Sequence, residues 1–152
     1  MDKEQISNLQ KYIFGEVFLI ANKLQTIGDE FLDEVTTKQW FLCVIINEFF
    51  QGVNPSLSEV AEIMGTSRQN VKQIALKLER IGFLEINKDE KDSRILRLTL
   101  TESCHKYWES RSAKDEEFLN FIFNNMEPQE LMQMFNSLDK FYKNILSFKM
   151  EG

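Results

Sequence analysis

Ser56-Leu57-Ser58-Glu59-Val60-Ala61-Glu62-Ile63-Met64-Gly65-Thr66-Ser67-Arg68-Gln69-Asn70 is the stretch on which the fold turns. Ser56 followed three places on by Glu59 is a capping box, in which hydroxyl and carboxylate satisfy each other's free helix amides. Val60, Ala61 and Met64 give that helix an apolar side, and Gly65 stops it. Thr66 with Gln69 reads as a second box opening a second helix. Two capped helices around a glycine-containing turn form a helix-turn-helix pattern.

The second helix is expected over Ser67 to Ile81. Val71, Ile74, Ala75, Leu78 and Ile81 line one side. Gln69, Gln73, Lys77 and Arg80 fall opposite, with Arg68 and Lys72 on the flanks. Arginine can fork onto guanine, glutamine and asparagine onto adenine, and lysine can meet phosphate. Ser67, Arg68, Gln69 and Asn70 occupy the first turn, the end of such a helix that meets base edges.

Gly82 follows where a left-handed residue belongs. Leu84 and Ile86 alternate with polar neighbours, as do Leu96, Leu98 and Leu100, which predicts two strands. Lys88-Asp89-Glu90-Lys91-Asp92-Ser93 between them is a charged tip, with Arg94 at its exit. The outline is a winged helix. Val53-Asn54-Pro55 adds a candidate third strand.

Leu78-Glu79-Arg80-Ile81-Gly82-Phe83, then Asp92-Ser93-Arg94, then Leu100-Thr101, resembles the MarR family of bacterial transcription regulators over about residues 5 to 146. The resemblance implies a dimeric winged-helix regulator with a ligand-responsive cleft. It implies Arg94 in a DNA minor groove, with Asp92 orienting basic side chains nearby. Two positions depart from the family pattern. Cys104 replaces a usual glycine, and Ile86-Asn87 stands where the wing often begins with a basic residue, leaving Lys88 to substitute.

The charge pattern is uneven. The whole chain of 152 residues carries −6. Residues 66–97 hold eight cations against five anions, a net of +3, and the remainder holds a net of −9. A basic patch on an acidic body suits DNA binding through one face and excludes indiscriminate coating of nucleic acid. Hydrophobic content of 43% supports a core, and 13 phenylalanines supply aromatic packing. One histidine and two cysteines 61 positions apart give no metal motif and no disulfide framework, so no metal and no cofactor is expected. No catalytic constellation is visible, and an enzyme is not expected. Met1-Asp2-Lys3-Glu4 has no signal-peptide pattern and no apolar run reaches membrane-spanning length, so a cytoplasmic protein without membrane contact is expected.

From Ile6 through Leu9, Ile13, Val17, Ile20, Leu24, Ile27 and Phe31 the apolar steps are three or four, giving a long amphipathic helix. Thr36 to Gln39 is another capping box, and Trp40 to Ile46 is apolar nearly all round, so the helix it opens should be buried. Cys43 there reads as a packed small hydrophobe. Thr101 caps a helix expected to reach Met126, and Pro128 opens the last one. Leu131, Met134, Phe135, Leu138, Phe141, Tyr142, Ile145 and Leu146 form its stripe.

The expected architecture is mostly α: an N-terminal dimerisation arm (1–35), a winged helix-turn-helix domain with a two- to three-stranded wing (36–101), and C-terminal dimerisation helices (102–152). Ser67, Arg68, Gln69, Asn70, Lys72, Gln73, Lys77, Lys88, Lys91, Asp92 and Arg94 are the candidate DNA contacts. Ile6, Leu9, Ile13, Phe121, Leu131, Phe135, Leu138 and Tyr142 are candidates for the dimer seam. Phe14, Phe18, Trp40 and Phe41 are candidates for a cleft taking a small aromatic effector. The function implied is a homodimeric, sequence-specific regulator of transcription on a pseudo-palindromic operator, a repressor released by ligand. A winged helix used for protein contact is one alternative. A thiol-based redox sensor is the other, through Cys104, which lies near Lys106 and a helix start.

Overall fold

Every helix of the winged region starts where a side-chain oxygen meets a free amide, and the caps set the element boundaries. The computed structural model describes residues 1–148, so the last four residues of the expected 102–152 arm lie outside the described part. The elements in chain order are α1 (Lys3–Phe31), α2 (Thr37–Phe49), α3 (Leu57–Met64), α4 (Arg68–Arg80), β1 (Leu84–Lys88), β2 (Leu96–Leu100), α5 (Glu102–Ile122) and α6 (Pro128–Ser147). The described residues fall into two compact units, one of residues 1–107 and one beginning at residue 108.

In the first unit the boxes at Thr36–Gln39 and Ser56–Glu59 form as expected. Asp2 and Gln5 make a third at the head of α1. At α4 the cap is Ser67, whose Oγ accepts the Asn70 amide at 3.1 Å, and not Thr66. The reason lies in α3. Its left-handed C-cap, Gly65, is followed by a Thr66 amide that donates to the Ala61 carbonyl at 3.1 Å. Thr66 therefore still closes α3 and cannot open α4. Its hydroxyl accepts from Asn70 Nδ2 instead.

Leu42, Ile45 and Ile46 of α2, Leu57 and Val60 of α3, and Val71, Ala75 and Leu78 of α4 are buried together with Phe83, Leu84 and Leu98. Full burial of each such side chain is worth about 1.5–3 kcal/mol, so this cluster carries the domain. Ile81 departs from the expected stripe and is exposed. The chain turns away at Gly82, whose φ of 81° is one that a side chain rarely adopts, before Ile81 can reach the core. Trp40 and Phe41 also depart: α2 buries one side only, and both aromatic rings lie on its exposed side.

The wing is a two-stranded antiparallel hairpin, in register from Leu84↔Leu100 to Lys88↔Leu96. The segment before α3 forms no full strand. It contributes one bridge, Ser56↔Arg97, and the Pro55 carbonyl accepts the Leu98 amide at 2.9 Å. Thr101 locks the hairpin to the turn after α4. Its hydroxyl donates to the Gly82 carbonyl at 2.6 Å and accepts the Cys104 amide at 3.2 Å. Its own amide donates to the Phe83 carbonyl. Beneath it Cys104 and Cys43 are both buried, with sulfur atoms 3.9 Å apart.

α1 buries only Gly28. There α2 arrives at close range: Thr37 Oγ1 donates to the Gln25 carbonyl at 3.1 Å, and the Thr37 amide donates to Asp29 Oδ1 at 2.6 Å. A β-carbon at residue 28 would run into that threonine hydroxyl.

In the second unit α5 ends at Ile122, four residues short of the expected Met126. Asn125, at φ 61° in the turn between α5 and α6, takes the left-handed conformation, one asparagine tolerates. Pro128 opens α6 as expected, and α6 buries no residue of its own. No helix of the described residues is long and apolar enough to cross a membrane.

Gly28→Ala therefore sets a better helix former against the loss of the Thr37 hydrogen bond and local overpacking. We expect a net loss of about 1 kcal/mol, read as a lowered midpoint in thermal unfolding followed by circular dichroism.

Candidate nucleic-acid interface

α4 owes its two-sidedness to its sequence period. With Val71, Ile74, Ala75 and Leu78 committed inward, Arg68, Gln69, Gln73, Lys77 and Arg80 are exposed and Lys72 is half-buried. Ser67 and Asn70 are exposed too, but the Ser67 hydroxyl is engaged in the cap and Asn70 Nδ2 donates to the Thr66 hydroxyl. Arg68 and Gln69 are thus the first-turn side chains with long, outward donors. Leu76 lies on the same outward face.

The wing tip is built by one carboxylate. Asp89 Oδ2 accepts the amides of Lys91 and Asp92 at 3.1 and 3.0 Å, folding the tip back on itself. The loop closes with Asp89 N to the Ile95 carbonyl and Ile95 N to the Asp92 carbonyl, both 2.9 Å. Asp92 then grips Arg94 in a fork, Oδ1 to Nε at 2.9 Å and Oδ2 to Nη2 at 2.8 Å. The Arg94 side chain is nonetheless 87% exposed, so it stands out from the tip in a fixed direction. Asp92 orients Arg94 itself, more specifically than the resemblance implied. Lys88 and Lys91 flank the tip, exposed.

A shallow groove joins the two parts. Ser56, Leu57 and Ser58 at the head of α3, Arg68 at the head of α4, and Arg94, Ile95 and Leu96 of the wing line it. Two helix N-termini and two guanidinium groups around one groove make a surface suited to phosphate oxygens. Of the expected contacts, the structure brings Arg68 and Arg94 together here, while Lys77 lies farther along α4.

Sequence reasoning passed over Arg97, whose contacts hold this surface in shape. Arg97 Nε donates to Asp89 Oδ1 at 2.8 Å, and its Nη1 donates to Glu59 Oε2 at 3.1 Å and to the Asn54 carbonyl at 3.3 Å. These partners lie 8, 38 and 43 positions away, so no helical or strand period reveals them.

The same bonds set the ionisation. The Arg97 guanidinium, helped by the Lys91 and Asp92 amides, holds the Asp89 carboxyl below its ordinary range, and Arg94 does the same for Asp92. The Ser56 amide and hydroxyl, then Arg97, lower Glu59. Each arginine is in turn held more firmly protonated by its carboxylate.

The candidate effector residues form two separate neighbour pairs. Phe14 and Phe18 meet edge to face on α1 at 5.2 Å, and Trp40 and Phe41 stack on α2 at 6.4 Å. All four are exposed. The candidate seam residues are exposed as well, from Ile6, Leu9 and Ile13 on α1 to Phe121 at 77% and Phe135 at 66%.

A helix-turn-helix, a two-stranded wing and long flanking helices define a winged-helix protein. The fold is that of the MarR regulators, as the wing motif implied. A MarR transcriptional regulator from Methanosarcina mazei Go1 matches with a TM-score of 0.77 at 19% identity, over 90% of this chain and 97% of that one. The Staphylococcus aureus MepR–DNA complex matches at 0.73 and 20%, over 90% and 97%. Bordetella bronchiseptica BpsR, whose DNA binding is regulated by 6-hydroxynicotinic acid, matches at 0.68 and 21%, over 84% and 91%. No protein-family model matches the chain. In sequence it is 27% identical over 103 residues to the transcriptional activatory protein BadR of Rhodopseudomonas palustris, 66% of this chain and 59% of BadR. It is 25% identical over 112 residues to the transcriptional repressor MprA of Escherichia coli K12, 74% of this chain and 64% of MprA. The chain thus spans less than two thirds of both relatives.

A carboxylate with a depressed folded pKa contributes fully above its unfolded value and loses that contribution as pH falls through the folded one. For Asp89 and Asp92 the ordinary value is 3.8, so the wing contacts persist down to that pH and fail only below it. We expect the Lys91 and Asp92 amide resonances to hold steady from neutrality to about pH 4 and to titrate beneath it. Titration near pH 5 would contradict the geometry.

Proposed function

We infer that this chain is a homodimeric, sequence-specific DNA-binding regulator of transcription, working in the cytoplasm as a repressor released by a small aromatic ligand. The observation that carries the DNA-binding part is the exposed Arg68–Arg94 groove beside the outward donors of α4, on a chain whose remainder is acidic. Arg68, Gln69 and Gln73 would meet base edges, with Asn70 beside them. Lys72, Lys77, Lys88 and Lys91 would sit on phosphates, and Arg94 in the minor groove. Two copies of α4 about 34 Å apart would take successive major grooves of a pseudo-palindrome. A solved complex of MepR with DNA supports this reading by likeness of fold.

Dimerisation is supported by apolar faces too large for a solitary chain to leave wet. α1 exposes Ile6, Leu9 and Ile13, and the C-terminal helices expose Phe121, Leu131, Phe135, Leu138 and Tyr142. These arms, residues 1–35 and 102–152, would cover one another across a two-fold axis. The ligand is supported by the exposed aromatic pairs on α1 and α2, and by BpsR's response to a hydroxylated aromatic acid. Relatives of both signs, an activator and a repressor, are on hand, and repression is the simpler use of a groove-filling dimer. A protein-contact role would call for an apolar face on α4, which instead carries Gln69, Gln73, Lys77 and Arg80. A thiol-sensing role has the Cys43–Cys104 contact in its favour, and both sulfurs are shielded from solvent.

A mobility shift on duplex selected from a random pool tests the reading. Arg94→Ala should weaken binding on every sequence and lower the slope of log affinity against log salt by about one, while Gln69→Ala relaxes the choice of base at one position. Unchanged affinity in both variants overturns it. By sedimentation the chain should run as a dimer, and Phe135→Asp with Leu138→Asp should give monomer that binds the same duplex at least about tenfold more weakly.

A further inference from the structure

We propose that Arg97, which faces α3 instead of the DNA surface, is a positioning residue for Arg94. It joins the head of the helix-turn-helix to the wing tip through an unbroken series of hydrogen bonds. The inference rests on the DNA-binding reading and goes beyond it, because Arg97 is not among the contacts that reading assigns.

The links run in order. Glu59 Oε2 accepts the Ser56 amide at 2.7 Å, which caps α3, and the same oxygen accepts Arg97 Nη1 at 3.1 Å. Arg97 Nε reaches Asp89 Oδ1 at 2.8 Å. The other Asp89 oxygen holds the amides of Lys91 and Asp92. Asp92 holds Arg94 by its amide, Nε and Nη2. The backbone of Arg97 bridges to Ser56 as well, so side chain and main chain fasten the same two elements.

An Arg97 guanidinium is suited to this place. Its planar fork can serve two carboxylates and a carbonyl at once, which an ammonium on a flexible stem does less well. It is also half-buried where Arg94 is open, with 30% of its side chain exposed against 87%. Arg97 thus does the holding and leaves Arg94 to reach out. Its charge further offsets Glu59, the anion that caps the Ser56 amide at the head of α3. Without it the tip would keep its hairpin but lose its fixed bearing on α3 and α4.

A double-mutant cycle separates positioning from plain stability. The 152-residue chain is titrated with the duplex it selects from a random pool. Arg97→Ala should weaken binding about tenfold, and Arg94→Ala in that background should cost less than about twofold more. Arg97→Lys should fall between wild type and Arg97→Ala. Glu59→Gln keeps the cap's acceptor and guards against a fold defect in the alanine variant, and it should lose a smaller part in the same direction. In the free protein, Arg97→Ala should speed hydrogen exchange at the Lys91 and Asp92 amides and leave that of Val71 unchanged. Additive losses in the cycle, or wing amides that exchange as in wild type, overturn the proposal. If the wild type selects no duplex, the DNA-binding reading fails, and hydrogen exchange alone then decides whether Arg97 holds the tip.

Discussion

α4 has to be dry on one side and wet on the other, and the rest of the first unit answers to that requirement. Val71, Ala75 and Leu78 are sealed from solvent by α2, α3 and the base of the hairpin. With the inner side so committed, a helix of 3.6 residues per turn leaves Gln69, Gln73, Lys77 and Arg80 no place but outside. The burial that stabilises the domain therefore also aims its donors. A core substitution such as Leu78→Ala would disturb both, since the cavity it leaves lies directly behind the exposed face.

Around that helix the structure uses short polar closures where apolar packing runs out. Thr101 ties β2 to the turn at Gly82, Glu79 Oε1 accepts the Ile86 amide at 3.0 Å, and Asp89 shapes the tip. The Leu100-Thr101 pair that carries part of the sequence resemblance thus has a local mechanical reason. The leucine completes the strand, and the threonine hydroxyl serves a carbonyl and an amide on separate elements. These closures are exposed or half-exposed, so each is individually weak, and their value lies in setting direction.

What could be read in the residues was whatever is local. The boxes at Thr36 and Ser56 and the alternation of Leu84, Ile86, Leu96, Leu98 and Leu100 involve neighbours within four positions, and the elements stand where those signals placed them. The cap of α4 slipped by one residue because Thr66 and Ser67 are adjacent and chemically alike. The end of α3, which claims the Thr66 amide, decides between them. Ile81 kept the apolar period but lost its burial to the turn at Gly82. Trp40 and Phe41 sit in a run that looks buried all round, yet a helix on the edge of a small domain can cover only one flank. The Arg97 contacts were invisible for a different reason. Ion pairs across 38 positions leave no periodic trace, and in the sequence Arg97 is one of eight cations over residues 66–97 and a polar alternate of its strand.

The shared oxygen of Glu59 bears on how such domains can be recombined. This hairpin moved into another winged protein would carry Asp89 and Arg97 with it, but the matching acceptor, Glu59, sits on a helix that stays behind. The exchangeable module therefore does not end at the hairpin's base. Its seam runs back through the first turn of α3, and a chimera cut anywhere later would join two halves of an unfinished hinge.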